Sequence, residues 1–188
     1  MRIISGTFKG KKILEPKDSK TRPLKDLVKE SIFNIIYHSK KFSMNLEESI
    51  VLDLFSGVGS FGIECLSRGA KYVVFYENYK GVLPILNKNL TNLKSINNYE
   101  VVIKNIYDVK VFVTLENKYD IIFLDPPYKD QNFEQLLNKI RKEKILTENG
   151  IIILHRHKSE ISSFPESYKI IEQKNYGISK IIFLSILN

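Results

Sequence analysis

Four consecutive residues, Asp125-Pro126-Pro127-Tyr128, combine a carboxylate, two rigid backbone units and an aromatic ring directly after an apolar run, 121–124. Paired prolines fix an extended path and remove two amide donors, which leaves carbonyls as acceptors. A carboxylate and a carbonyl side by side suit a substrate that presents a hydrogen-bearing nitrogen, such as the exocyclic amine of a base. The lone pair of such an amine is delocalised into its ring. Acceptors that take its hydrogens orient the lone pair for attack and stabilise the positive charge that develops on nitrogen. Tyr128 supplies a face on which a base stacks, an interaction worth ~1 to 3 kcal/mol. The bland alternative is a proline-rich turn with an exposed tyrosine.

A second constellation lies upstream. The apolar run 50–54 leads into Phe55-Ser56-Gly57-Val58-Gly59-Ser60-Phe61-Gly62, after which Ile63 and Leu66 continue with helical spacing. Glycines at a strand-to-helix junction allow tight turning and close approach of a ligand to free amides. The next apolar run, 72–76, ends at Glu77, placed to accept hydrogen bonds from ribose hydroxyls. The pattern predicts a nucleoside-cofactor site, and the glycines alone leave nicotinamide dinucleotides and S-adenosylmethionine both open. Asp53, just before the loop, favours the second, because a carboxylate there attracts a cationic amino group and repels a pyrophosphate. Its bland reading is a side chain that caps the amides of the turn.

These residues need a scaffold that brings distant segments to one edge. Runs at 50–54, 72–76, 101–104, 121–124 and 151–154 alternate with helix-like stretches, as a parallel sheet covered on both faces requires, so the fold class is α/β. Two further runs, 168–171 and 178–184, have no helix between them and predict an antiparallel pair. Ahead of this body, 2–5 and 11–14 read as a hairpin. Thr21 and Pro23 then read as a helix start, with Leu24, Leu27, Val28, Ile32, Ile35 and Ile36 as its apolar face and Lys25 and Lys29 on its polar side. The polar stretch 39–49 reads as a hinge, dividing a basic extension, 1–41, from a body, 49–188.

Charge follows the same division. Of a net +8 over 188 residues, residues 1–41 carry eleven Lys or Arg against four acids, and the remainder eighteen against seventeen. A basic arm beside a neutral body fits phosphate contacts, and Arg2, Lys9, Lys11, Lys12, Arg22, Lys25 and Lys29 are the candidates. The length suits one domain. No apolar run is long enough to span a bilayer, which predicts a cytoplasmic protein without membrane contact. Cys65 is the only cysteine, and His38, His155 and His157 show no metal-ligand spacing, so no metal is expected and the histidines read as structural.

Taken together, Arg2-Ile3-Ile4-Ser5-Gly6, Lys9-Gly10-Lys11-Lys12, Arg22-Pro23, Val28-Lys29-Glu30-Ser31-Ile32-Phe33-Asn34, Leu52-Asp53-Leu54-Phe55-Ser56-Gly57 and the Asp-Pro-Pro-Tyr tetrapeptide resemble the RsmD-type family of class I methyltransferases. The resemblance implies a Rossmann-like, mostly parallel seven-stranded sheet and S-adenosylmethionine as cofactor. It further implies methylation of the 2-amino group of a guanine in small-subunit (16S) ribosomal RNA, free or in an assembling particle, by a monomer. By position it assigns Asp53, Phe55, Gly57, Gly59 and Glu77 to the cofactor, Asn105 and Ile106 to the flanks of its adenine, and Asp125, Pro126, Pro127 and Tyr128 to the target amine. Related tetrapeptides serve DNA adenine methylation, so an N6-adenine methyltransferase is an alternative, as is a non-catalytic RNA-binding module with a vestigial pocket. His155-Arg156-His157 stand where the resemblance leads one to expect an acidic residue, and no catalytic role is carried over there.

Overall fold

The computed structural model describes residues 1–16, 24–110, 112, 118–127, 130, 132–160 and 163–187. Thr21, Arg22, Pro23 and Tyr128 lie outside the described residues. Chain order runs through α1 (Asp26–His38), a short 3-10 turn (Leu46–Glu48), β1 (Ile50–Leu54), α2 (Ser60–Ser67), β2 (Tyr72–Tyr76) and α3 (Leu83–Thr91). It continues with β3 (Tyr99–Val102), β4 (Tyr119–Leu124), α4 (Phe133–Glu143), β5 (Leu146–His157), β6 (Tyr168–Tyr176) and β7 (Ser179–Ile186). The strands form one seven-stranded sheet in the order β3-β2-β1-β4-β5-β7-β6. All pairings are parallel from β3 to β5, and β7 runs antiparallel to both of its neighbours.

The α/β expectation therefore holds. Every residue of β1 is buried, the signature of a strand covered on both faces. Val51, Val73, Ile121 and Ile153 face the core shared with α1, α2 and α3. Leu52, Val74, Ile122 and Ile152 face the core shared with α4, which contributes Phe133, Leu136, Leu137 and Ile140 at helical spacing. The tail pair closes through Gly177 (φ 59), which opens a two-residue hairpin turn between Tyr176 and Ser179. Among the described residues no helix is long and apolar enough to cross a membrane.

Strand bounds shift where burial, more than composition, decides. The run expected at 101–104 is paired only over Tyr99–Val102, and Ile103 is 61% exposed. The run expected at 151–154 extends to His157, because β7 pairs with it beyond the apolar segment. The N-terminal hairpin reduces to one bridge, Arg2 with Lys12, with the bonds Ile3 N–H to Lys11 O (2.9 Å), Ile13 N–H to Met1 O (3.1 Å) and Gly10 N–H to Ile3 O (2.9 Å). The amides of Ile4 and Ser5 do not cross to a partner strand. They donate to Glu64 of α2, at 2.8 and 2.9 Å.

Glu64 is the anchor of this arm and has no exposure. It pairs with Lys29 (3.3 Å) and Arg68 (2.9 Å), and Lys29 also donates to the Arg2 carbonyl (2.7 Å). The Arg68 guanidinium lies over the Phe33 ring, 4.3 Å from its centroid. Two expectations for α1 are corrected here. Lys29 is fully buried and cannot reach a phosphate, and Leu27, assigned to the apolar face, is 66% exposed. The buried stripe is centred on Val28, Lys29, Ile32, Phe33 and Ile36, because a charge on α2 draws Lys29 inward and rotates Leu27 out. Burial pulls the Lys29 pKa below its ordinary value, with Glu64 opposing the shift.

The stretch 39–49 is likewise not a free hinge. Phe42 and Met44 pack on the core, the Phe42 ring stands 5.4 Å from that of Phe183, and Lys41 reaches Glu172 (2.6 Å). The arm and the sheet share one core, to which Ile3, Phe8, Ile13 and Leu24 belong. Removing one partner of a buried charge cluster strands the others, at about 3–5 kcal/mol. Glu64→Ala is therefore expected to lower the unfolding free energy by about that amount, measured by urea denaturation, and a change of a few tenths would show that the arm is held by its apolar contacts alone.

Candidate active site

At the carboxyl end of β1 the backbone enters the left-handed region three times in five residues, at Phe55 (φ 63), Gly57 (φ 56) and Gly59 (φ 82). A side chain at Gly59 would lie 2.6 Å from Leu86 Cδ1, and one at Gly62 would lie 2.3 Å from the Phe75 ring. These glycines let the loop turn and let α2 sit against the sheet. Several bonds fix the turn. Ser56 N–H donates to Tyr76 O (3.0 Å), Gly59 N–H to Ser56 O (2.8 Å), and the Ser56 hydroxyl to Asp53 O (2.6 Å).

Two carboxylates hold the same loop. Glu77 Oε2 accepts from Gly57 N–H (2.7 Å), while its Oε1 accepts from Asn78 and Tyr79 N–H (2.8 Å each). Asp53 Oδ2 accepts from Gly62 N–H (2.9 Å) in the first turn of α2, a helix with no side-chain cap of its own. Asp53 is 1% exposed. It takes the amide-capping role beneath the loop, the bland reading of its place in the sequence. Burial drives the Asp53 pKa well above its ordinary value, the Gly62 amide opposes this, and the charges of Asp125 and Glu77 add to the rise. Carboxyl groups from the ends of β1, β2 and β4 thus share one electrostatic neighbourhood.

Asn105 and Ile106 stand differently from each other. Asn105 is exposed in a turn, where its Oδ1 accepts from Tyr107 N–H (3.1 Å). Ile106 is 4% exposed and belongs to the α4-side core, so it forms wall beneath the surface. The adjoining Tyr107 was not legible as a site residue. Its ring lies 6.0 Å from that of Phe55, and its hydroxyl donates to Asp130 Oδ2 (2.6 Å), joining the loops that follow β1, β3 and β4. Burial, with the Asp130 bond second, raises its pKa.

β4 delivers Asp125 half-buried, Pro126 buried and Pro127 exposed. Expecting both proline carbonyls to remain free needs correction, because Pro127 O accepts from Asp130 N–H (2.8 Å) and Arg156 Nη1 (3.4 Å). Arg156, 3% exposed, also donates from Nη2 to Asp130 O (3.1 Å), pairs with Glu160 and packs on the Phe133 ring. It is the clamp of the tetrapeptide loop, which the sequence pattern did not reveal. His155, read as structural and given no catalytic role, places Nδ1 2.8 Å from Asp125 Oδ1. The signal was available: parallel strands in register bring 125 and 155 to neighbouring ends.

Of the basic candidates, Arg2, Lys9, Lys11, Lys12 and Lys25 are exposed. Asn89 of α3, 3% exposed, ties their arm to the site. It accepts from Leu14 N–H (2.8 Å) and donates to Leu14 O (3.1 Å) and Val58 O (3.0 Å), so one side chain links the arm to the glycine loop. Removing it leaves buried backbone groups unsatisfied, at about 1–3 kcal/mol. Asn89→Ala is expected to destabilise the fold by about that much and to accelerate amide exchange at Leu14. Unchanged Leu14 exchange in an NMR experiment would remove Asn89 as the tie.

The comparisons with known proteins follow this geometry along the whole chain. The family model described as "Conserved hypothetical protein 95" matches residues 1–185. The ribosomal RNA small subunit methyltransferase D of Haemophilus influenzae is 34% identical over 179 residues, covering 95% of this chain and 90% of that protein. A putative rRNA methyltransferase of Bacillus subtilis is 32% identical over 184 residues, with 96% of each covered. The solved structure of a putative methyltransferase from Escherichia coli superposes with a TM-score of 0.80 at 26% identity, covering 99% of this chain and 97% of that one. The sheet is accordingly that of a Rossmann-like methyltransferase. Matched by the model along nearly all of its length and by relatives above 30% identity, the chain belongs to the conserved hypothetical protein 95 family, that of the ribosomal RNA small subunit methyltransferase D proteins.

Proposed function

We propose that the protein transfers a methyl group from S-adenosylmethionine to the 2-amino group of a guanine in small-subunit ribosomal RNA. The observation that carries this reading is the convergence, beside one glycine loop, of the carboxyl groups of Asp53, Glu77 and Asp125. Such a neighbourhood repels a pyrophosphate and attracts a ligand that carries an ammonium and a sulfonium, and the fit therefore favours S-adenosylmethionine over a dinucleotide. Bound there, the cofactor supplies an electrophilic methyl group. Glu77 is placed for ribose hydroxyls once its present backbone partners are exchanged, and Phe55, Gly57, Gly59, Asn105 and Ile106 shape the remaining walls.

The chain's own residues then act on the amine. Asp125 takes one amine hydrogen and the Pro126 carbonyl the other, which turns the nitrogen lone pair outward from the base plane. Among the described residues no other group is bonded to the Pro126 carbonyl. Tyr128 stacks on the target base, and Pro127 with Arg156 holds the loop beneath it. Arg2, Lys9, Lys11, Lys12 and Lys25 follow the phosphates, Arg22 extends the same basic stretch, and the methyltransferase names of the relatives support RNA as the polymer. The reading places a monomer in the cytoplasm, acting on free RNA or on an assembling particle.

Incubation with methyl-labelled S-adenosylmethionine and separate ribosomal RNA, DNA and protein fractions, followed by digestion to nucleosides, is expected to yield labelled N2-methylguanosine. Label in N6-methyladenosine, DNA or protein would replace the substrate. Asp125→Ala is expected to lower kcat by about 100-fold or more with cofactor affinity within a few fold, and unchanged turnover would count against the assigned chemistry. Replacing Lys9, Lys11 and Lys12 with Ala is expected to weaken RNA binding and flatten the dependence of its logarithm on salt, with a slope change of about one per lost phosphate contact. An unaltered slope takes the arm out of the interface.

A further inference from the structure

His155 stands against the carboxylate assigned to the target amine. Phe123, Ile153 and Phe183 lie on the sheet face shared with α1, α2 and α3. Two residues onward along parallel β4 and β5, Asp125 and His155 emerge on that same face at adjacent strand ends, while Ser179 approaches on antiparallel β7. The imidazole bridges them, with Nδ1 2.8 Å from Asp125 Oδ1 and Nε2 2.9 Å from Ser179 Oγ. His155 is 6% exposed and Ser179 5%, whereas the Asp125 side chain keeps 20%. The ring is therefore enclosed and the carboxylate faces outward.

We propose that His155 is a positioning residue of the methyl transfer: it grips one oxygen of Asp125 and, through its own protonation, sets how strongly the other oxygen draws a hydrogen of the target amine. This role rests on the amine-methylation reading above. In that reaction the nitrogen lone pair forms the N–C bond, the C–S bonding pair leaves with sulfur, and one N–H proton passes to Asp125 and on to solvent. An imidazolium donates to Asp125 from Nδ1 and to Ser179 from Nε2, and its charge weakens the carboxylate as an acceptor. The neutral ring keeps the Nδ1–H donor and accepts the Ser179 hydroxyl hydrogen at Nε2. Geometry stays the same in both states while the charge behind Asp125 changes.

Among the described residues, three groups are seen to bear on the ring. Asp125 reaches it from β4, Arg156 adjoins it on β5 and opposes its charging, and Ser179 meets it from β7. Asp53 on β1 is felt by Asp125 electrostatically, and the charged pair on this face from α1 and α2, Lys29 and Glu64, is mutually bonded. Burial works against a charged ring, but the charge and hydrogen bond of Asp125 outweigh it, and the His155 pKa lies above its ordinary 6.5. A raised histidine pKa stabilises the fold fully below the ordinary value and loses that contribution as pH rises through the raised one. Turnover should move oppositely, rising as the ring is neutralised.

With the full chain and ribosomal RNA, wild-type kcat is expected to climb about tenfold on an acid limb centred above the ordinary histidine value, within a scan from about pH 5.5 to about pH 9. His155→Asn keeps an N–H donor near the Nδ1 position without titrating. It should hold kcat within about threefold at the alkaline end and lose the limb, whereas His155→Ala should lower kcat about 10- to 100-fold with KM unchanged. Equal limbs in wild type and His155→Asn would overturn the proposal. If that variant does not fold, Ser179→Ala should displace the limb, and an unmoved limb overturns it equally. NMR titration of the ring supplies a readout without turnover: Asp125→Asn should lower the His155 pKa, and an unchanged value would refute the pairing. Normal turnover by Asp125→Ala would instead remove the amine reading itself, which the ring titration leaves untouched.

Discussion

Parallel pairing of β1 with β4 is the constraint on which the site depends. In the order β3-β2-β1-β4-β5, the chain builds outward from β1 in one direction and then returns to add β4 on its other side. The register sets Leu54 beside Leu124, so the loops that follow leave from neighbouring strand ends on the two sides of the reversal. Open α/β sheets bind ligands at such a reversal because no connection covers it. Asp53 and Phe55 arrive from one wall and Asp125 from the other. A slip of β4 against β1 by one residue would turn Asp125 to the face opposite Asp53.

Each wall is held by buried or half-buried side chains. Asp53 and Glu77 accept amides of the glycine loop, while Arg156 collects the carbonyls of Pro127 and Asp130. All three are ionisable groups whose burial would be costly without partners, and each has one. The clamps are themselves built on rigid elements, the ends of β1, β2 and β5.

The basic arm joins this arrangement without being a separate body. Glu64 takes the amides of Ile4 and Ser5 that a hairpin would have used, and Asn89 binds Leu14 on one side and the glycine loop on the other. Arg2 and Lys12 are bridged to each other in this arm, with Lys25 nearby in sequence on exposed helix surface. The exposed cations of the arm are thereby fixed relative to the candidate site.

By itself the sequence determined the α/β class, the positions of the central strands, the glycine loop and the tetrapeptide, because apolar period and turn chemistry are local properties. It also located the basic excess, which depends only on composition. Tertiary structure decided what each polar side chain is bonded to. Lys29 reads as surface by helical spacing and is interior because Glu64 waits on α2, while Leu27 goes outward for the same reason. Asp53 caps instead of facing outward, and His155 meets Asp125 from 30 residues away. Such pairings are set by strand register and by which helix covers which face, and neither is written in the residues on one side of the contact alone.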